Sequence, residues 1–325
     1  MKPWKSIQDQ LDLLKSRGMM ITDEALAMQH LSRIGYYRLS GYYYAFRKRV
    51  PVPNMPKPTK KVLDEFIPDV SLKDVVDLYV FDKRLRLLVV DALERIEIAM
   101  RSNIAHVLGE YDAVAYLNPL LFHNTFTDLQ KRTGLSKHHE WLGKQARLIS
   151  SSKEEFMVHH KEKYGLPVPI WVAVEVWDFG AMSHLFDGMK EADQDKVSKL
   201  YGIENGRIFA TWLRSLNYLR NVCAHHGRLW NRNIVEIPKL PPKAAIPWVG
   251  FFENDNHAST RVFVLLCVCT QLLNKLCPQS KWSERLIELL NDFPDIQKFS
   301  LNLSGMGAKK GWEEVLNEIW KTKNP

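Results

Sequence analysis

Apolar residues recur at intervals of three and four along most of the chain, which is the spacing of amphipathic helices. The clearest case spans residues 71–110, where one apolar stripe consists of Leu85, Leu88, Ala92, Ile96 and Ala99. Strand signals are few, and strands do not alternate with helices. The pattern predicts an all-α protein in which helices of bundle length are joined by long loops.

Further helices are predicted along the whole chain. They cover two pieces within residues 5–50, an apolar segment over 170–186 interrupted near Gly180, a helix that opens at Asn205 or Gly206, and two helices over 259–277 and 283–291. Residues 51–61 contain four prolines and three lysines. Because proline cannot continue a helix, this segment predicts an exposed loop.

Composition places the chain among ordinary globular proteins. Hydrophobic residues make up 46% and charged residues 25% of its 325 positions, which excludes a disordered or fibrous chain. The four cysteines form no CxxC pair and no secretory leader precedes them, so we expect reduced thiols and a cytoplasmic location. The longest purely apolar stretch, 262–269, is too short for the roughly 20 residues that cross a bilayer, so no membrane association is expected.

The net charge of +8 favours a polyanionic partner. The excess is concentrated in residues 207–243, which hold seven basic residues against the single acid Glu236. That segment also contains the most suggestive motif of the chain, Arg220-Asn221-Val222-Cys223-Ala224-His225-His226, at the end of an amphipathic helix.

Helical spacing explains the interest of this motif. Asn221 and His225 are four apart and share a face, while the long side chain of Arg220, one step around, reaches the same point. An imidazole moves a proton near neutral pH, a guanidinium holds a phosphoryl group in bidentate fashion, and an amide orients either partner. Together these groups suit phosphodiester cleavage.

Other interpretations of these residues stay open. Arg-x4-6-His also occurs at Arg101 with His106, and at Arg132 with both His138 and His139, so the spacing alone is weak evidence. At a helix C-terminus, His225 and His226 could instead cap free carbonyl groups without any catalysis.

Two other groups of side chains suggest different chemistry. The doublets His138-His139 and His159-His160 suggest a metal hydrolase, but adjacent histidines point to different sides of a helix and no HExxH or CxxC supports them. Residues 31–44 contain five tyrosines, which suit either a surface that stacks nucleic-acid bases or the packing of one helix against another. Packing is the favoured interpretation.

Several segments together resemble a known family. They are 34–42 (IGYYRLSGY), 81–86 (FDKRLR), 169–171 (PIW) with Phe179-Gly180, and the motif at 220–226. This combination is similar to the Abi-like proteins, the AbiD/AbiF group of bacterial abortive-infection or phage-resistance proteins, over roughly residues 5–235. That family in turn resembles the HEPN superfamily of helical bundles, whose active members are metal-independent endoribonucleases.

The resemblance implies a fold and a division of the chain. It implies a HEPN-like helical bundle with extra N-terminal and C-terminal helices. The predicted domains are an N-terminal helical region with the Pro/Lys loop (1–62), the bundle with its RNxxxHH motif (63–240) and a C-terminal helical extension (241–325).

The resemblance also implies an activity. The RNA 2′-hydroxyl would attack the adjacent phosphorus without a metal or other cofactor, with His225 as general acid or base, Arg220 stabilising charge and Asn221 positioning one of them. His226 fits the same spacing as an alternative. Superfamily members commonly pair two such motifs, so a homodimer is implied.

RNA contacts are expected outside the motif itself. Arg214, Arg228 and Arg232 are candidate RNA-binding residues, with Trp230 near them, whereas Trp212 is assigned to the core. The resemblance further implies a toxin-like role, restrained beforehand by an antitoxin RNA or protein. The alternative function is a non-catalytic RNA-binding or regulatory protein of a phage-defence system. The sequence does not identify the RNA substrate, the trigger or the antitoxin.

Overall fold

A single long helix, α4 (Leu72–Gly109), packs against helices from both the N-terminal and the C-terminal parts of the chain. The computed structural model describes residues 3–53 and 60–321 of the chain. Ser71 caps the start of α4, because its hydroxyl accepts a hydrogen bond from the amide of Asp74 while the Asp74 carboxylate accepts one from the amide of Ser71. The helix predicted over 71–110 is confirmed.

The elements before and after α4 follow in chain order. The N-terminal ones are α1 (Ile7–Ser16), α2 (Glu24–Arg33), α3 (Tyr36–Tyr43), β1 (Arg47–Pro51) and β2 (Lys60–Phe66). After α4 come α5 (Asn124–Thr127), α6 (Lys137–Ser151), α7 (Glu155–Tyr164), α8 (Ile170–Ala173), α9 (Phe179–Gly188), α10 (Glu191–Lys199), α11 (Gly206–Ala224), α12 (Asn256–Ser259), α13 (Val262–Leu276), α14 (Trp282–Asn291) and α15 (Trp312–Lys321). Short 3-10 turns link several of these helices.

The predicted all-α class is confirmed, with one exception. Strands β1 and β2 pair antiparallel, with Arg47 opposite Phe66 and Pro51 opposite Lys60. Helix was predicted as far as residue 50, and this is wrong for residues 47–50, which belong to β1. The predicted loop over 51–61 is shorter than expected, since Pro51 ends β1 and Lys60 begins β2; residues 54–59 lie outside the described part of the chain.

The predicted helix beginning near residue 205 is confirmed as α11. The side chain of Asn205 accepts a hydrogen bond from the amide of Ile208, which makes Asn205 the N-cap. Trp212, which the sequence assigns to the core, is fully buried on this helix. The segment over 170–186 is interrupted near Gly180 as predicted, since the break lies just before α9 and Asp178 caps the start of that helix.

The C-terminal helices close over α4. The indole Nε1 of Trp282 in α14 donates to the carbonyl of Leu88 at 2.7 Å, and α13 packs along the same helix. One apolar core runs through all three predicted segments, from Leu11 to Ile319. The division at residues 62 and 240 stays a prediction. Within the described residues, no helix is both long and apolar enough to cross a bilayer.

Candidate active site

The C-terminus of α11 is closed by its own backbone. The amide of Gly227 donates to the carbonyl of Val222 at 2.8 Å, and the amide of His226 donates to that of Cys223 at 3.0 Å. This is the Schellman arrangement, in which the residue after the C-cap has left-handed backbone geometry and is usually glycine. Here that residue is His226, with φ 55°. Backbone amides thus cap the end of α11, a role that the sequence leaves open for the imidazoles of His225 and His226.

The three predicted catalytic residues lie together on the last turns of α11. Asn221 and His225 are exposed on one face, and Arg220 is half-buried beside them. A guanidinium nitrogen of Arg220 lies 3.4 Å from the Oδ1 atom of Asn221. No hydrogen bond joins the imidazole of His225 or of His226 to another described residue, so both rings are available to a ligand.

Glu97 of α4 lies on the buried side of Arg220. Burial raises the pKa of the Glu97 carboxyl, while the guanidinium groups of Arg101 and Arg220 oppose that rise. Glu97 and Arg101 form an ion pair one helical turn apart, and the two side chains are only 14% and 18% exposed. The pair is enclosed because α9 and α11 both pack on α4, and the Glu97 carboxyl interacts electrostatically with Arg220.

The second sequence match, at Arg101 and His106, is placed differently. Besides pairing with Glu97, Arg101 donates to the backbone carbonyl of Trp177. His106 lines a separate cavity of about 440 Å³ together with Trp171 and Glu175. Arg101 thus connects α4 to the backbone at Trp177. The lining of the His106 cavity includes no residue of the motif at 220–226.

The loop that follows α11 is held by two distant helices. Arg38 of α3 donates to the carbonyl of His226 at 2.6 Å, and Arg86 of α4 donates to that of Gly227 at 3.3 Å. Arg228 in turn donates to the carbonyl of Gly41 in α3. These contacts fix the direction in which the chain leaves the motif.

Asp82 anchors the same loop from inside the core. Its carboxylate is fully buried and accepts hydrogen bonds from the amides of Leu229 at 3.0 Å and Trp230 at 2.6 Å and from the hydroxyl of Tyr42 at 2.7 Å. Burial raises the pKa of Asp82, whereas the adjacent guanidinium of Arg86 and these hydrogen-bond donors act to lower it. Sequence reasoning gave Asp82 no role, although a charged residue on the apolar side of a helix was a usable signal.

The residues that assemble this site belong to α3, α4 and α11, which are far apart in the sequence. A family model of the Abi-like protein matches residues 29–231. The chain belongs to the Abi-like protein family. The matched range begins in α2 and ends one residue beyond Trp230, so it contains every element that holds the motif. No curated protein and no solved structure matches the chain.

The three arginines predicted to bind RNA occupy different environments in this Abi-like protein. Arg214 is at the surface of α11, where one guanidinium nitrogen lies 3.1 Å from both carboxylate oxygens of Asp187. Arg228 is enclosed by its contact with α3, and burial lowers its pKa. Arg232 donates to the carbonyl of Arg228 at 2.7 Å. Their contacts with RNA stay a prediction.

Neither tryptophan near the motif is placed to stack bases. The ring of Trp230 is only 2% exposed and packs against Phe293 of the C-terminal region. The expectation that Trp230 contacts RNA is therefore wrong in this conformation. It failed because a loop residue was assumed to be exposed, whereas the Asp82 carboxylate draws this loop into the core.

The first histidine doublet has structural roles. The Nε2 atom of His138 lies 2.8 Å from the carbonyl of Tyr116 in a buried site, and the Nδ1 atom of His139 lies 2.8 Å from the hydroxyl of Ser136. Across residues 3–53 and 60–321, no three His, Cys, Asp or Glu side chains gather as a metal site would require. The structure thus gives no support to the metal-hydrolase alternative.

Proposed function

We propose that this Abi-like protein is a metal-independent endoribonuclease of the HEPN type that acts in abortive infection. Family membership supports the defence role. The observation that carries the nuclease proposal is that Arg220, Asn221 and His225 lie on the last turns of α11, with Asn221 and His225 exposed and no other described residue hydrogen-bonded to the imidazole. A proton carrier, a cation and an amide on one exposed face suit transfer at a phosphodiester.

The proposed reaction needs one proton removed and one supplied. The 2′-hydroxyl oxygen of RNA bonds to the adjacent phosphorus and the bond from phosphorus to the 5′-oxygen breaks. His225 takes the 2′ proton or gives a proton to the leaving oxygen, while Arg220 holds the charge that builds up on phosphorus. The products are a 2′,3′-cyclic phosphate and a 5′-hydroxyl end. Asn221 positions the guanidinium or the phosphate.

A homodimer would supply the second imidazole for this reaction. Three apolar side chains of α4, Leu87, Val90 and Ile98, are 62%, 41% and 57% exposed. Their spacing along the helix brings them to one edge, beside the helix turn that carries Glu97. Such a row is suited to contact with a second copy, which would bring a second Arg220 and His225 to the same RNA strand.

The alternative proposal is an RNA-binding protein of the defence system that does not cut. The seven basic residues within 207–243 favour it, because binding phosphates requires charge but no proton transfer. In either case we propose that an RNA or protein antitoxin restrains the protein, as the toxin-like role requires.

Cleavage of RNA in excess EDTA tests the nuclease proposal. Wild type should produce cyclic-phosphate ends, and both Arg220→Ala and His225→Ala should lose at least a hundredfold in rate, in keeping with the usual contribution of a general acid or base. His184→Ala, at an exposed histidine of α9, is the matched control and should cut like wild type. Cutting retained in both motif variants would overturn the proposal. RNA bound without cutting by all four proteins would favour the binding protein.

A further inference from the structure

A groove beside α3 combines exposed aromatic rings with basic side chains. Its volume is about 810 Å³, and Trp4, Tyr37 and Tyr44 lie around it. These three rings are 87%, 75% and 46% exposed, which is unusual for side chains of this size. The sequence interpretation of this tyrosine-rich segment as packing holds for Tyr36, Tyr42 and Tyr43, which pack in or against the core, and not for the exposed Tyr37 and Tyr44.

The floor of the groove is already charged and ordered. Arg47 lies over the rings of Tyr43 and Tyr44, at 5.6 and 5.7 Å from their centroids, and pairs with Asp64 at 3.0 Å. Arg17 reaches the same carboxylate at 3.5 Å and donates to the hydroxyl of Tyr36 at 3.0 Å. Two guanidinium groups thus share one carboxylate, so the floor keeps a net positive charge.

The neighbouring hairpin continues this charge. Lys48 and Arg49 of β1 and Lys60 and Lys61 of β2 are exposed, and within the described residues none of the four has an ion-pair partner. Flat rings beside a row of unpaired cations are what single-stranded nucleic acid requires, because bases stack on aromatic faces and phosphates follow the positive charge. Proline-rich peptides also bind aromatic grooves, but they do not need the cations.

The groove and the motif lie on either side of the same short helix. Tyr37 and Ser40 of α3 line the groove, while Arg38 and Gly41 of that helix hold the backbone of the loop after His226. Only the width of one helix, about 10 Å, separates them. An RNA strand in the groove would therefore pass close to the motif.

We propose that this groove binds a single-stranded segment of RNA, with bases stacked on Trp4, Tyr37 and Tyr44 and phosphates on the cations of the hairpin. The inference rests on the proposed function for its substrate class. It adds a binding surface that is separate from the motif and reads no fixed sequence, because every base has a face on which to stack.

Binding of a fluorescein-labelled RNA of ten uridines tests the groove. The measurement uses His225→Ala protein in EDTA, so that the probe stays intact, and follows anisotropy. Adding Tyr37→Ala should raise the Kd about tenfold, whereas Tyr37→Phe, which keeps the ring, should leave it unchanged. Tyr164→Ala, at a tyrosine of α7 that is also largely exposed, is the matched control and should bind normally.

The outcomes separate this proposal from the nuclease proposal. Normal binding by Tyr37→Ala, Tyr44→Ala and Trp4→Ala would overturn the proposed RNA-binding role of the groove. This holds even if wild type cuts RNA through Arg220 and His225. Loss of binding in these variants, with binding kept by Tyr37→Phe, would support the RNA-binding role of the groove even if wild type cuts no RNA. A proline-rich peptide that binds the groove while decauridine does not would also overturn the proposal.

Discussion

The carboxylate of Asp82 accepts a hydrogen bond of 2.6 Å from the backbone amide of Trp230, 148 positions later in the chain. Its ion pair with Arg86 lies in the same buried site, so Asp82 joins α4 to the loop that leaves the motif. A fully buried carboxylate with this many donors leaves several polar groups without partners when it is removed.

We therefore expect Asp82→Asn to lower the free energy of unfolding by about 3–5 kcal/mol, because it strands the Arg86 charge in the core. Urea denaturation measures this change. Asp77→Asn is the matched control on the same helix, because its ion pair with Lys73 is exposed and should cost about 0.5 kcal/mol or less. Equal losses in the two variants would contradict the anchoring role of Asp82.

His226→Gly should stabilise the protein. The left-handed backbone of His226, with φ 55°, is strained for a histidine and free of strain for glycine, so we expect a gain of about 1 kcal/mol and a rise in Tm of about 2 °C. His225→Gly should have the opposite effect on Tm, because the backbone there has an ordinary φ of −88°. Thermal unfolding followed by circular dichroism distinguishes the two variants.

The same pair of variants decides which imidazole acts. If His225 is the acid or base, His226→Gly should still cut RNA while His225→Gly should not. The reverse result would assign the reaction to His226.

His138 should make the protein sensitive to mild acid. Burial lowers the pKa of His138 from its usual value of 6.5, so the unfolded chain binds the proton more tightly than the folded chain. The free energy of unfolding should accordingly fall as the pH is lowered below about 6.5. His138→Gln, whose amide can still donate to Tyr116, should weaken this dependence, whereas His184→Gln should leave it unchanged. A pH series of urea denaturation curves measures the pH dependence of the free energy of unfolding. Identical curves for His138→Gln and wild type would contradict the role of His138.

The four thiols should differ sharply in reactivity. All are free, and Cys223, Cys267 and Cys269 are buried, while Cys277 is partly exposed. Burial raises the pKa of Cys223 to about 12, which suppresses its thiolate form. Ellman's reagent should modify one thiol of the native protein quickly, and all four after unfolding. Fast modification of Cys277→Ser protein would contradict this expectation.

Local periodicity predicted the two central helices well. Helices α4 and α11 carry their apolar spacing within one segment, and their caps at Ser71 and Asn205 are side chains that bond three residues ahead. Convergence of Asn221 and His225 on one face follows from helix geometry alone. These features could be predicted because nothing outside the segment is needed to form them.

Features that depend on distant partners could not be predicted in this way. Strand β1 forms only because a second strand pairs with it, and Asp82 has a role only because the loop near Trp230 folds onto it. The sequence likewise marked Arg228 as basic but could not show that its guanidinium is directed to the carbonyl of Gly41. Spacing describes one helix and carries no information on what packs against it.

The burial of Trp230 depends on residues that the ribosome translates after it. Its indole Nε1 donates to the carbonyl of Asn302 at 3.3 Å, and its ring packs on Phe293. A ribosome that has just translated the motif at 220–226 has not yet translated either of these partners. A nascent chain would therefore carry the motif before the loop behind it is closed. For a protein proposed to attack RNA, this delay would protect the ribosome that is still synthesising it.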